Sequence, residues 1–500
     1  MNIQNDKRQS FKKIGLVFAV AAAIGLTGCD PEFSNSVDDT SQFSAGDADF
    51  ARFVAVGDSL TAGFADSALY IHGQQNSYPA ILAQQFALVG GGAFTQPLMN
   101  DNLGGLLLGG NPIAATRLVL TGPSPDALSP APISGVPTTE VQDVLNGTFN
   151  NMGVPGAKSF HLGFVGYGDV AGVAGGTANP YYARMAMSSV STMIADAANQ
   201  GPSFFILWIG NNDTLSYATT GGIGVDQLGN LDPTTYGSND LTDPSVFASV
   251  FSQYVTALTA AGGKGILITL PDVTSIPYFT TVPFNAIPMD QATADASNAA
   301  YVAYNGGLQV SGIPAAEVAQ RTINFVAGQN AVVIEDETLT DLTGGGLPSI
   351  RQATADDLIV LPASATIGTL ADPMNPASVI GVGVALGDGD VLTASEIALV
   401  AAANTAYNTT IAGIAAGNPD LVLFDAAAIF ADIAVNGIDY GSGIATTTFA
   451  TGGLFSLDGV HPTARGYAIL SNLIMETIEN EFGAVLQRVD PGAYTTTFVE

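Results

Sequence analysis

One cysteine stands in 500 residues, so no intrachain disulfide forms, and cysteine clusters for zinc or an iron–sulfur centre are excluded. Histidine is nearly as scarce. The three are His72, His161 and His461, and no pair has the H-E-x-x-H spacing, so a histidine-built metal site is not expected. Basic residues are the third scarcity: 13 Lys and Arg face 44 Asp and Glu, for a net charge of −31. Lys7, Arg8, Lys12 and Lys13 crowd the start, which leaves nine bases against 43 acids from Cys29 onward. Such a surface repels phosphate backbones, and no nucleic-acid partner is expected. What is plentiful is apolar. Hydrophobic residues make up 47% and mean hydropathy is +0.32, which excludes a disordered acidic polymer. The length suits two or three ordinary domains or one large elaborated one.

The first thirteen residues are polar and basic, and residues 14–26 are apolar without a charge. That run is short for a membrane span and right for the hydrophobic part of a signal peptide. It ends in Leu26-Thr27-Gly28-Cys29, which resembles the bacterial lipoprotein box, and it holds the only cysteine in the chain. The resemblance implies a signal peptide over residues 1–28, lipidation of Cys29, and a place in the bacterial cell envelope, at the outer membrane or cell surface rather than the inner membrane. Residues 29–50 are polar and acidic and read as a flexible tether. Beyond it lie a domain over 51–485 and a C-terminal tail over 486–500.

Five short apolar runs read as strands: 53–56, the stretch before Asn151-Met152-Gly153, 203–209, 264–270 and 420–424. They are aliphatic throughout rather than alternating, which suits a parallel sheet covered on both faces. Helical patterns lie at 78–88, 188–199, 246–261, from the capping box Thr393-Ala394-Ser395-Glu396 to about 416, and over 462–482 with Pro462 in the first turn. Strands alternating with helices predict an α/β domain. Residues 90–147 and 275–390 exceed such a domain and read as insertions. Asp388-Gly389-Asp390 hints at calcium, but an EF-hand loop would carry acids where Leu386 and Ile397 stand.

Gly57-Asp58-Ser59-Leu60 comes directly after the first strand. A serine there sits at the crevice where open α/β sheets bind ligands, and a helix starting beside it aims N–H groups at an incoming oxyanion. Asp458-Gly459-Val460-His461 stands near the other end. A carboxylate three residues before a histidine can orient its ring, and the histidine can then activate a serine hydroxyl. Gly153-Val154-Pro155-Gly156 and Gly210-Asn211-Asn212-Asp213 each come after a strand and land at the same sheet edge if all strands are parallel. Taken singly, each of these pieces also reads as a turn, an N-cap or a surface pair.

Together, G-D-S-L, N-x-G-x-x-G, G-x-N-D and D-x-x-H in this order resemble the GDSL or SGNH hydrolase superfamily. The resemblance implies a flavodoxin-like three-layer α/β/α sandwich and a serine esterase or lipase. It carries the nucleophile to Ser59, the general base to His461 and the orienting acid to Asp458. The oxyanion donors fall on the Ser59 N–H, the Gly156 N–H, with Gly153 as alternative, and the Asn212 side chain. The stretches 270–274 and 462–467 are similar to such enzymes as well. The substrate implied is a lipid, a short-chain ester or an acetylated sugar, with no metal or organic cofactor. The long gaps from Ser59 to Gly156 and from Asn212 to Asp458 depart from compact members and leave the substrate open.

An α/β-hydrolase nucleophile would sit in G-x-S-x-G, and here Thr61 takes the place of the last glycine. A non-catalytic surface lipoprotein binding lipid or carbohydrate is the reading of a different class. Against it, every position the chemistry needs is filled. His72 and His161 read as structural, with His161 placed to line the cleft. Trp208 reads as core. Asp58 is expected to hold the nucleophile's turn and Asp213 to brace the Asn212 loop. Arg465 is expected to meet an acid near the last helix or a substrate carboxylate.

Overall fold

The computed structural model describes residues 40–122 and 128–500. The signal segment, Cys29 and most of the expected tether lie outside the described residues. A short unit ends at Phe43, of which Thr40–Gln42 form a 3-10 turn, and residues 44–500 form one compact unit. Residues 44–50 of the expected tether therefore belong to the compact unit. Ser44 pairs with Val485, and Phe50 is buried with its ring stacked 3.8 Å from that of Phe86. Burial of one aromatic outweighs the polar character of its neighbours.

Four of the expected strands form where read, the fifth forms just beyond its expected stretch, and all join one parallel sheet: β1 (Phe53–Gly57), β2 (Asn151–Gly153), β3 (Phe204–Trp208), β4 (Lys264–Ile268) and β5 (Leu421–Phe424). β2 comes slightly later than expected, on Asn151 itself. That asparagine is tolerated because its amide donates to the Thr61 carbonyl and its oxygen accepts the Gly153 N–H. The spatial order is β2-β1-β3-β4-β5. The chain moves one way from β1 to β2 and the other way from β3 on, so the order reverses beside β1 and opens a crevice at the strands' carboxyl ends.

The helices around the sheet and the second core include α1 (Ser59–Ala62), α2 (Tyr78–Ala87), α3 (Asn212–Ala218), α4 (Pro244–Thr259), α5 (Gln291–Val310), α6 (Ala394–Ala416), α7 (Ala426–Asn436) and α8 (Ala464–Phe482). Side-chain oxygens of Ser77, Asp243, Asp290, Asp425 and Thr463 cap α2, α4, α5, α7 and α8, each worth about 1 kcal/mol. The box at Thr393 and Glu396 opens α6 as read. Pro462 lies before the cap of α8 rather than in its first turn, because the Thr463 hydroxyl takes the capping role. The expected helix at 188–199 starts only at Met193, since Ser188 and Ser191 close a turn on each other and Thr192 caps the helix at that later start. α2 and α8 pack together and receive Phe204 and, through Tyr78, Trp208 from β3. α4 and α6 form a second group, with Tyr407 stacked on Phe247 and α6 along β4 and β5.

The two long extra segments differ in kind. Residues 90–147 contain two antiparallel ribbons, Leu106–Leu108 with Asn111–Ala114 and Leu118–Thr121 with Ser129–Pro132. Residues 275–390 build a second hydrophobic core under α5, including Tyr301, Leu308, Val333 and Ile359, and a buried Arg351 bridges Asp336 and Asp357. The last residues are packed too: Phe498 lies under the Arg117 guanidinium, and Glu500 N–H bonds the Leu120 carbonyl.

Candidate active site

β1 ends at Gly57 and α1 begins at Ser59, so the single residue between them must turn the chain and cap the helix. Asp58 does both, its Oδ1 accepting the Leu60 N–H at 3.0 Å. Its other oxygen accepts the Asn211 amide at 2.9 Å, which ties the serine turn to the loop after β3. Burial pushes the Asp58 carboxyl up to about 6, against the pull of these two hydrogen bonds.

The chain returns to Ser59 from 402 residues away. His461 Nε2 lies 2.9 Å from Ser59 Oγ, and Nδ1 lies 2.9 Å from Asp458 Oδ2. A carboxylate only accepts, so Nδ1 carries the hydrogen and Nε2 presents its lone pair to the hydroxyl. Asp458 takes further hydrogen bonds from the N–H groups of Val460, His461 and Ser67 and from the Ser456 hydroxyl. Burial by itself would raise this carboxyl, but the imidazole and the backbone donors prevail and bring it down to about 2. It is thus a fixed negative charge beneath the ring.

Two residues of this support carry no sequence signal. Asp66 and Ser67 have φ of 53° and 62° and form the two central positions of a tight turn closed by Ala65 and Ala68. A two-residue turn of this hand normally takes Asn-Gly, Asp-Gly or Gly-Gly, so it is Ser67 in the glycine position that departs from the pattern. The left-handed backbone aims the Ser67 N–H at Asp458, and the Asp66 carboxylate accepts the Leu457 N–H and the Tyr70 hydroxyl. Nothing in Asp-Ser as a dipeptide announces such a turn.

The expected oxyanion donors come after β1, β2 and β3, three adjacent strands. The Ser59 N–H opens α1, and Gly156 has φ of 78° in the turn after β2. Neither N–H donates to an acceptor among the described residues. Asn212 spends one amide hydrogen on the Ala157 carbonyl at 2.9 Å, which orients the amide and leaves its second hydrogen. Gly153 is the less suited alternative, because its N–H is already taken by Asn151. Asp213 braces a neighbour rather than its own loop: its two oxygens accept the Ser159 N–H and hydroxyl. Asn211, Asn212 and Asp213 therefore bind three segments in turn: the serine turn, the Gly156 turn and the residues after it.

The other singled-out residues fall elsewhere. His161 accepts the Lys158 N–H on Nδ1 and stacks on Tyr167 with ring centroids 4.5 Å apart, and burial lowers it to about 3. His72 packs on Phe498 with its basicity lowered by burial. Among the described residues Arg465 pairs with no acid; it donates to the Pro491 and Tyr494 carbonyls and lies over the Tyr440 ring. Glu337, Asp388 and Glu396 place carboxylate oxygens within 4.8 Å of one another, but Glu396 is occupied in capping α6. Trp208 is buried, as expected of core, and one face borders a cavity that starts at Ser59 and His461. The cavity is walled almost wholly by aliphatic and aromatic side chains from the ends of β3 and β5, the loop after β4, and α7 and α8.

Comparison with protein families, curated proteins and solved structures finds no match. Among the described residues no helix is long and apolar enough to cross a membrane.

Proposed function

We propose that the chain is a serine hydrolase of carboxylic esters, of the GDSL or SGNH kind, built on a flavodoxin-like three-layer sandwich. The observation that carries the reading is the hydrogen-bonded series Ser59–His461–Asp458, 2.9 Å at each step, at the carboxyl edge of a parallel sheet. Ser59 Oγ attacks the ester carbonyl while His461 Nε2 takes its proton. Asp458 holds the ring in the right tautomer and balances the imidazolium. The negative oxygen is received by the Ser59 N–H, the Gly156 N–H and the Asn212 amide, each worth roughly 3 kcal/mol in the transition state. His461 then protonates the departing alcohol, and water repeats the sequence on the acyl-enzyme. Lipidation at Cys29 would tether this domain to the cell envelope. Cys29→Ser should move the protein from the membrane fraction to the soluble one.

The test is ester hydrolysis by the domain from residue 44 on, beside Ser59→Ala. The proposal expects hydrolysis of simple nitrophenyl esters that vanishes in the variant while its circular dichroism is unchanged. Equal hydrolysis by both proteins would sink it. A folded protein that hydrolyses nothing would favour a binding lipoprotein.

A further inference from the structure

Resting on the hydrolase reading, we propose that the apolar cavity beside Ser59 is an acyl-chain site, and that the substrate is an ester of a medium-chain fatty acid rather than an acetyl ester.

Two helices make its walls. α7 contributes Ala426, Ile429, Phe430 and Ile433, and α8 contributes Gly466, Ile469, Leu470 and Leu473. Both sets have the spacing i, i+3, i+4, i+7, one stripe per helix, about 10 Å long. The loop after β4 adds Pro271, Val273 and Ile276. No Asp, Glu, Lys or Arg lines the space, and the polar groups on it, Ser59, His461, Asn211 and the Trp208 indole, include the reacting pair. The space measures about 140 Å³. That is close to the roughly 150 Å³ of an engineered apolar cavity that stays dry and takes up benzene. A sugar would leave its hydroxyls without partners here, whereas a hydrocarbon chain would not.

The sheet order says which part of the ester enters. The oxyanion donors come after β1, β2 and β3, while the cavity runs from β3 toward β5. With the carbonyl oxygen turned to the β2 side, the cavity is left for a substituent of the carbonyl carbon. The acyl chain stays on Ser59 through both half-reactions. An alcohol chain in the same place would have to leave before water arrived, and would vacate an apolar space that water does not fill readily. The structure therefore favours the acyl group.

The experiment uses the domain from residue 44 on, with ethyl acetate, ethyl octanoate and octyl acetate as substrates. Each buried methylene is worth about fourfold, so even partial burial predicts a kcat/KM for ethyl octanoate more than about tenfold above that for ethyl acetate. Octyl acetate should gain little. Ile433→Trp, which fills the α7 side, should lower the octanoate-to-acetate ratio about tenfold. A flat or falling profile in an active enzyme would overturn the acyl site and leave the hydrolase reading standing. Preference for octyl acetate over ethyl octanoate would assign the cavity to the alcohol and overturn it as well. Should no ester be cleaved, calorimetry with sodium octanoate separates the two readings. Binding by the native chain that Ile433→Trp weakens would retain the acyl site without hydrolysis, and no binding would overturn both.

Discussion

Asp458 receives five hydrogen bonds; one donor, the Ser67 N–H, is brought near only by the folded chain, and the neighbouring Ser456 hydroxyl is held in turn by the distant Asp66 N–H. Its role as tautomer holder predicts that Asp458→Asn lowers kcat by about 10⁴-fold with little change in KM. Steady-state kinetics on a short ester checks this. Asp66 allows a separate test. Burial raises its carboxyl to about 6, from 3.8, and the charge of Asp458 adds to the rise. A carboxyl raised on folding favours the folded state most when protonated, so the stability it contributes is lost as pH rises from about 4 through 6. Asp58 has the same sign. Asp458, lowered on folding, has the opposite one, and its contribution is lost only as pH falls from about 4 through 2. Unfolding free energy should therefore increase between about pH 7 and pH 5, by roughly 1.3 kcal/mol for each carboxyl raised to about 6, and Asp66→Asn should flatten that slope. Urea melts at the two pH values decide it; an unchanged slope in the variant would contradict the buried, raised carboxyl. Ser59, His461 and Asp458 were legible in the sequence because reactive residue types are few and their order is distinctive. Asp66 was not, since its importance comes from contacts with Leu457 and Tyr70 made from a left-handed turn that the dipeptide Asp-Ser does not announce.

At the scale of elements, α1 is only four residues long, and its seat decides where Ser59 points. β2 provides that seat. A Cβ on Gly153 would strike the backbone nitrogen of Ala62 and the carbonyl carbon of Thr61. Gly153→Ala should thus push α1 off the sheet, with a loss of about 2 kcal/mol or more from overpacking. Activity should fall with it, and a thermal melt with a parallel ester assay checks both. β1, β3, β4 and β5 were legible because strands buried on both faces are continuous apolar runs, whereas β2, Asn151-Met152-Gly153, has no such run to mark it. α5 was not legible either, although it has 20 residues. Its composition is mostly Ala, Asn, Tyr and Gly, and only Ala294, Tyr301, Tyr304 and Leu308 are buried along it. So narrow a stripe leaves little periodic signal, and α5 is held by the second core rather than by its own pattern. The packing of residues 44–50 has a similar cause, since one buried Phe50 decides more than its polar neighbours do.

At the scale of the molecule, a net charge of −31 works against compactness. Repulsion among exposed charges is screened within about 10 Å at 0.1 M salt. Adding sodium chloride from a low-salt buffer should therefore raise Tm by several degrees, and a neutral osmolyte at equal osmolality should not mimic the salt dependence. A Tm independent of salt would show that the acids are already relieved by local partners. The amino-acid sequence by itself determined the class of fold, the lack of any intrachain disulfide or cysteine cluster, and the candidate reactive residues, because these rest on residue type and on short periodic patterns. Tertiary structure alone decided three things: the approach of His461 to Ser59 across 402 residues, the left-handed turn beneath Asp458, and the apolar cavity between α7 and α8. Each depends on surfaces that meet only when distant segments pack, and no local pattern records which surfaces those are.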